Sequence, residues 1–200
     1  MVARDRASRP EARPLRLFVA VDVPDAVKEG LAASVAPFRD RIPGARWTGF
    51  NGWHVTVKFL GSTWPRLVDT VREIVSTVAA GTAPLESALT EVGAFPTPTR
   101  ARVLWAGLDD PDGALAVVAA RLDELLAEDF VPEKRGYTPH LTLARLVPPR
   151  NLREFAPELH GMSVASERFV MDRLVLYRSH LSPLGARYEP LSSEPFRGVA

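Results

Sequence analysis

The sequence predicts an α+β fold of two similar lobes, whose antiparallel sheets face a central cleft and carry helices on their outer sides. Three observations lead to this class. A strand, a helix and a further strand follow each other twice along the chain, and in each half the second strand begins with a histidine. The spacing also repeats, because 38 positions separate Arg16 from His54 and 38 separate Arg102 from His140. This agreement indicates an internal repeat of the form β-α-β-α-β.

The first half opens with an alternating strand at residues 16–21. Apolar residues at helical spacing predict a helix from about Pro24 to Phe38, and proline suits a first helical turn because its missing N–H needs no partner there. The strand HVTVKFL then begins at His54. A second helix is predicted from Pro65 to about Ala80, and a strand from Ser87 to Phe95 closes the half.

The second half follows the same order. A strand at 102–108 precedes a helix that starts after Pro111 and has one apolar face. The strand HLTLARL begins at His140, and the short helix near Leu152 should end or kink at Pro157. Strands at 168–170 and 174–177 close this half, and we expect His180 in the loop that follows.

These elements predict one bilobal domain over residues 15–200, with a first half at about 15–98 and a second at about 99–195. Residues 1–14 mix Arg, Asp, Glu and Pro without an apolar stretch, which predicts a disordered leader. A nucleic-acid-binding arm is the alternative, although the charges are mixed and aromatic residues are absent.

Composition excludes several classes of protein. The net charge is only +1, whereas binding along a duplex normally needs a clear basic excess. The chain has no cysteine, which excludes disulfides and thiolate metal sites and fits a reducing cytoplasm. No apolar run approaches the roughly 20 residues of a membrane span. We therefore expect a cytoplasmic protein that binds neither membranes nor long duplexes. We also expect a monomer, although composition does not decide the oligomeric state.

The two histidine strands carry the candidate site. Because side chains alternate along a strand, His54, Thr56 and Lys58 should share one face, and His140 and Thr142 should share the equivalent face. The intervening apolar residues can pack under the helices. The two His-Thr pairs then face each other across the cleft.

Paired histidines suit the opening of a cyclic phosphodiester. The reaction needs a base that activates water and an acid that protonates the departing ribose oxygen, and a histidine with a pKa of about 6.5 can serve as either. Threonine hydroxyls two residues further on can donate hydrogen bonds to the phosphate oxygens, where charge develops in the transition state. This scheme requires no metal or other cofactor.

At these residues the sequence resembles the 2H phosphoesterase superfamily, and within it the LigT-like RNA 2′,3′-cyclic phosphodiesterases, also called 2′-5′ RNA ligases. The resemblance runs from about Leu15 to the region of Leu191 and is most specific in the two HxTx motifs. It implies a two-lobed fold that converts RNA 2′,3′-cyclic phosphate ends to 2′-phosphates without a metal or cofactor. It further implies His54 as proton donor, His140 as proton acceptor, and Thr56 and Thr142 as phosphate-binding residues.

Further substrate contacts are predicted with alternatives. Arg145 could bind phosphate, although strict alternation turns it away from His140. Tyr137 could stack on a base or fill the core beside Pro139, and Lys58 could add positive charge or be solvated. The remaining aromatic and histidine candidates are assigned to the core or to non-catalytic positions: Trp53 and Trp105 to the core, His160 to the surface and His180 to a loop.

Three other functions remain open. The chain could mainly ligate RNA through 2′-5′ bonds, for example tRNA halves, or it could act on a small cyclic nucleotide or on ADP-ribose cyclic phosphate. It could also be a nucleotide- or RNA-binding module, although binding alone does not need two intact His-Thr pairs. A metal site built on the histidines lacks the acidic companions and the close spacing that such sites show.

Overall fold

The computed structural model describes residues 13–155, 159, 162–182 and 185–198. Most of the predicted leader, together with Pro157 and His160, lies outside these residues. The described chain has ten strands and three α-helices: β1 (Leu15–Asp22), α1 (Asp25–Val35), β2 (Ala45–Trp47), β3 (His54–Thr63), α2 (Val68–Ala80), β4 (Leu85–Ser87), β5 (Leu89–Phe95), β6 (Ala101–Leu108), α3 (Ala114–Leu125), β7 (His140–Arg150), β8 (Phe169–Met171), β9 (Arg173–Ser182) and β10 (Gly185–Pro195). The predicted α+β class with antiparallel sheets is confirmed.

The main sheet has the strand order β10-β9-β1-β3-β7-β6-β5, and β2 pairs with β7 beside β3. A small second sheet pairs β4 with β8. The two sheets expected from the repeat are therefore joined into one, through a single antiparallel pair between Val55 and Leu141. Both residues are buried on the helix-covered side, so the two histidine strands can lie side by side at the centre of the sheet.

The two sequence halves exchange their closing strands. Strand β5, from the end of the first half, pairs with β6 of the second half. Strand β9, from the end of the second half, pairs with β1 of the first. Each half of the sheet is thus completed by the other half of the sequence.

The helices cover one side of the sheet and form the core with it. In β1, Leu17, Val19 and Val21 are fully buried in the core that also contains apolar residues of α1 and α2, whereas Phe18 and Ala20 point to the opposite side and lie outside this core. Burial of each such aliphatic side chain stabilises the fold by about 1.5–3 kcal/mol. No helix within the described part of the chain is long and apolar enough to cross a membrane. The cytoplasmic location and the monomeric state stay predictions.

A β-bulge follows each histidine at the same distance. In β3, Thr56 pairs with Ala20 and Lys58 pairs with Val19, so Val57 is an extra residue between them. In β7, Leu143 is the corresponding extra residue, between the paired positions Thr142 and Ala144. A bulge shifts the following side chains to the other face of the sheet. The alternation that applies at each histidine therefore reverses three residues later.

The equal spacing of 38 positions before each histidine does not connect structurally equivalent residues, because the two halves differ by one position. Asp22 pairs with His54, and Gly107 pairs with His140, so Asp22 and Gly107 are the equivalent positions. The first pair is separated by 32 positions and the second by 33. The repeat is real in topology, but the equivalent of Arg16 is Ala101 and not Arg102.

Strand β10 replaces the loop that was expected around His180. It pairs with β9 along its whole length and forms the outer edge of the sheet. Its two prolines are tolerated because an edge strand has one side free of ladder hydrogen bonds. His180 lies in β9, where its Nε2 is 2.6 Å from a carboxylate oxygen of Glu189.

Candidate active site

A pocket lies on the side of the sheet that the helices leave uncovered, where β3 and β7 meet. Both predicted His-Thr pairs and Arg145 line it, together with residues from the β2–β3 segment and from β10: Thr48, Gly52, His54, Thr56, His140, Thr142, Arg145 and Tyr188. The prediction that the two motifs share one pocket therefore agrees with the described geometry.

The strand register explains why the pairs converge. Val55 is directly opposite Leu141. One residue further on either side, His54 comes opposite Thr142 and Thr56 opposite His140. The two histidines then occupy diagonal positions, which are roughly 7–8 Å apart in an antiparallel pair. A phosphate group between the rings can be reached from both histidines and both threonines.

Aromatic side chains hold the ring of His54. Phe18 stacks on it at a centroid distance of 4.8 Å, Tyr177 lies at 5.5 Å, and Tyr188 meets it edge-on at 5.0 Å. The Tyr177 hydroxyl donates a 2.6 Å hydrogen bond to Asp22, which anchors this cluster to the end of β1. The imidazole is therefore oriented by packing, because aromatic contacts of this kind have preferred geometries.

His140 is oriented mainly by a hydrogen bond. Its Nδ1 lies 2.8 Å from the backbone carbonyl oxygen of Thr138, so Nδ1 carries the hydrogen and donates it. This arrangement leaves Nε2 for the substrate. Phe95 meets the ring edge-on at 5.0 Å, and the Trp105 ring lies at 6.5 Å.

Both imidazoles favour the neutral form. Burial lowers the pKa of His54 from 6.5 to about 4, and the positive charges of Lys28 and Arg145 act in the same direction. Burial also lowers the pKa of His140. The hydrogen bond to the Thr138 carbonyl raises this pKa, and the positive charge of Arg145 lowers it further. An anion in the pocket would raise both values, because it favours the protonated rings.

The bulge at Leu143 brings Arg145 into the site. Strict alternation turned this residue away from His140, but after the bulge its side chain emerges on the pocket side. The guanidinium supplies the positive charge that a phosphate site needs. The sequence suggested the residue but not the route by which it reaches the pocket.

The prediction that Lys58 shares the face of His54 is wrong. The matching bulge at Val57 turns Lys58 to the helix side, where it is 5% exposed. There it forms an ion pair with Asp123 and donates a hydrogen bond to the Val131 carbonyl oxygen at 3.1 Å. Lys58 thus fastens the end of α3 and the following loop to β3, outside the pocket.

Tyr137 packs against the core and does not line the pocket. Its hydroxyl donates a 3.2 Å hydrogen bond to the backbone carbonyl oxygen of Thr56, so it connects the segment before His140 to the other histidine strand. Burial raises the pKa of this phenol well above its usual range, which keeps the donor protonated. Of the two predicted roles, the structural one fits this position.

Of the two tryptophans assigned to the core, Trp53 and Trp105, only the first lies there. Trp53 is 2% exposed within the core, as predicted. The core assignment of Trp105 is wrong, because this residue pairs with Thr142 and therefore projects from the pocket side. Its ring lies flat over Gly93, with the Phe95 ring at 5.2 Å and the His140 ring at 6.5 Å.

Thr48 and Tyr188 line the pocket but were not among the predicted site residues. Thr48 follows the short strand β2, and its backbone N–H donates to the Leu143 carbonyl oxygen at 2.8 Å. Tyr188 comes from β10, where no strand was predicted. Both are brought to the pocket by long-range pairing, and neither belongs to a motif.

Among the residues that the structure describes, no three His, Asp or Glu side chains form a metal-binding group.

Two histidine–threonine strands that converge on one pocket beside an arginine define a two-histidine phosphoesterase fold, as the sequence resemblance predicted. A model of the 2′-5′ RNA ligase superfamily matches residues 27–183. The chain belongs to this superfamily.

Curated relatives match nearly the whole chain. The RNA 2′,3′-cyclic phosphodiesterase of Methanothermobacter thermautotrophicus is 32% identical over 191 residues, which is 92% of this chain and 98% of the relative. The protein of the same name from Methanocaldococcus jannaschii is 29% identical, over 88% of this chain and 97% of its own length.

Solved structures share the fold. A crystal structure from Thermus thermophilus superposes with a TM-score of 0.77 at 24% identity, covering 92% of this chain and 99% of that one. Escherichia coli LigT complexed with 3′-AMP superposes with a TM-score of 0.70 at 23% identity, over 92% and 98% of the two chains.

Proposed function

We propose that this protein hydrolyses RNA 2′,3′-cyclic phosphate ends to 2′-phosphates, without a metal. The convergence of two His-Thr pairs on one pocket carries this proposal. The name of the relatives, RNA 2′,3′-cyclic phosphodiesterase, supports the substrate class, as does the 3′-AMP bound to a structural neighbour. The natural RNA, including tRNA halves, stays a prediction.

In this reaction a water molecule attacks phosphorus and the bond from phosphorus to the ribose 3′-oxygen breaks. His140 accepts the proton that water loses, through the Nε2 that its bond to Thr138 leaves free. His54 gives a proton to the departing 3′-oxygen. Thr56 and Thr142 donate hydrogen bonds to the non-bridging oxygens, and Arg145 balances their charge.

His54 needs a proton before it can act as the donor, yet its pKa is about 4. A bound substrate changes this value, because its phosphate anion raises the pKa and offsets the charges of Lys28 and Arg145. The donor is therefore formed with the complex. The bell-shaped pH dependence of the turnover number then belongs to the bound state.

The test is the loss of turnover in His54→Ala and His140→Ala, assayed in EDTA on an oligonucleotide that ends in a cyclic phosphate. Each variant should lose on the order of 10²–10⁴-fold in rate while remaining folded. His180→Ala is the control, because His180 lies outside the pocket. Retained turnover in both pocket variants would refute the mechanism.

A phosphodiester with a 4-nitrophenolate leaving group separates the two roles. This leaving group departs without a proton, so the variant that lacks the donor should recover much of its rate on it. We expect recovery in His54→Ala and none in His140→Ala. The opposite pattern would reverse the assignment.

The family to which the chain belongs makes 2′-5′ ligation the second candidate. Ligation would use the same residues, with a ribose 5′-hydroxyl in place of water. Incubation of the cyclic-phosphate RNA with and without an acceptor that bears a 5′-hydroxyl decides between them. Joined product as the main species would favour ligation. Binding without either product would leave the RNA-binding alternative.

A further inference from the structure

A second arginine lies next to the pocket, on strand β2. Arg46 is directly opposite Arg145 in the antiparallel pair of β2 and β7. Directly paired residues project from the same face of a sheet. The neighbours of Arg46, Ala45 and Trp47, pack against the core on the other face, which agrees with this orientation. Arg46 therefore extends the pocket wall that Arg145 begins.

The pairing of two like charges is unfavourable unless something compensates it. Five other arginines of the described chain form ion pairs with carboxylates, among them Arg168 with Asp109 and Arg173 with Asp172. Within the described residues, no acidic side chain forms an ion pair with Arg46 or Arg145. Two uncompensated guanidinium groups side by side indicate a place for an external anion.

We propose that Arg46, with Arg145, binds a second phosphate: the phosphodiester that joins the terminal nucleotide to the rest of the RNA. The inference rests on the proposed function, and it selects an RNA chain over a small cyclic nucleotide as the substrate. The cyclic phosphate occupies the space between the histidines. Arg46 lies beyond it on β2, two residues before the pocket residue Thr48.

The guanidinium of Arg46 is suited to this contact because its planar fork can donate two hydrogen bonds to one phosphate group. The side chain is exposed, so a backbone phosphate can reach it without rearrangement of the protein. The net charge of only +1 fits one added phosphate contact and not an extended binding surface.

The test compares two substrates in the same assay. One is a nucleoside 2′,3′-cyclic phosphate without a 5′-phosphate; the other is a dinucleotide that ends in the same cyclic phosphate. Arg46→Gln should raise the KM of the dinucleotide on the order of fivefold, as expected for one exposed ionic contact, and leave the mononucleotide unchanged. The dependence of dinucleotide binding on salt should also weaken by about one ion.

Arg66→Gln is the matched control, because Arg66 is also exposed and lies beyond the end of β3, away from the pocket. It should change neither substrate. Arg46→Lys should recover only part of the dinucleotide affinity, because lysine keeps the charge but lacks the fork. An equal effect of Arg46→Gln on both substrates, or no effect on the dinucleotide, would overturn the proposal. Turnover of neither substrate by the unaltered protein would instead remove the proposed function, and this inference with it.

Discussion

Replacement of Gly93 by alanine should displace the Trp105 ring from its position near His140. Gly93 is paired with Trp105 in the sheet, and the indole lies directly over it. A Cβ at this position would be 2.0 Å from one carbon of the ring and 2.2 Å from the next. The backbone of Gly93 is otherwise ordinary, since its φ is not in the left-handed region.

The cost follows from this overlap. An ordinary contact needs at least 3.4 Å, so the ring has to move by more than 1 Å and cannot adjust within its present position. Overpacking of this kind costs about 1–3 kcal/mol. Against this, alanine is favoured over glycine in a strand by about 0.5–1 kcal/mol. We therefore expect Gly93→Ala to lower the free energy of unfolding by about 1–2 kcal/mol and to reduce turnover, because the displaced ring lies near His140.

Urea denaturation of a double-mutant cycle with Trp105→Ala measures the coupling. Without the indole, Gly93→Ala should cost nothing or stabilise the protein slightly, which gives a coupling of about 2 kcal/mol. Gly30→Ala is the matched control, because nothing lies within 4 Å of its added Cβ and helix α1 should gain about 0.5–1 kcal/mol. An equal cost of Gly93→Ala with and without Trp105 would refute the reasoning.

Three further predictions concern the contacts around the pocket. Tyr137→Phe removes the hydrogen bond to the Thr56 carbonyl, so unfolding should become about 1 kcal/mol easier and kcat should fall more than KM rises, as steady-state kinetics will show. Lys58→Met leaves the carboxylate of Asp123 without its partner and should cost about 2 kcal/mol in urea unfolding; adding Asp123→Asn should recover part of it. Because the pKa of His54 is lower in the folded protein, folding favours the neutral ring. The contribution of this preference to the free energy of unfolding is complete above pH 6.5 and is lost as the pH falls towards 4. This loss should amount to about 2 kcal/mol after allowance for partial exposure, and His54→Gln should flatten that part of the unfolding curve against pH.

The catalytic pairs could be predicted from the sequence because short-range alternation is enough to place them. His54 and Thr56 are two residues apart in a regular stretch of strand, and the same holds for His140 and Thr142. Two identical patterns in a repeat then direct them to a common cleft. The three main helices follow similarly from apolar periodicity, as in α2, where Val71, Val75 and Val78 are buried.

The positions of Lys58 and Arg145 could not be predicted in this way, because each lies beyond a bulge. The bulged residues, Val57 and Leu143, are ordinary strand formers, and neither glycine nor proline adjoins them to mark an irregularity. The bulges arise from the way β3 and β7 pair with β1 and β6, which is a property of the assembled sheet. The error for Lys58 and the uncertainty for Arg145 thus have one cause.

The remaining differences come from long-range pairing. Strand β2 has only three residues, too few for a periodic pattern, and it forms by adding to β7 about a hundred positions further on. Strand β10 contains two prolines and mostly polar residues, and it is a strand because β9 offers a free edge. The composition of neither segment signals a strand, yet each contributes to the pocket or its rim.

The exchange of closing strands means that neither half of this chain is a self-sufficient folding unit. A fragment that ends after β5 would carry a strand whose hydrogen-bonding partner, β6, is on the other fragment, while its own β1 would lack β9. Chain cleavage in the turn between β5 and β6 should therefore yield two pieces that assemble on mixing and remain incomplete when separate. An ancestor with a single copy of the repeat would also have lacked a partner for its closing strand. Two such chains could have supplied that partner to each other by exchanging closing strands in a symmetric dimer.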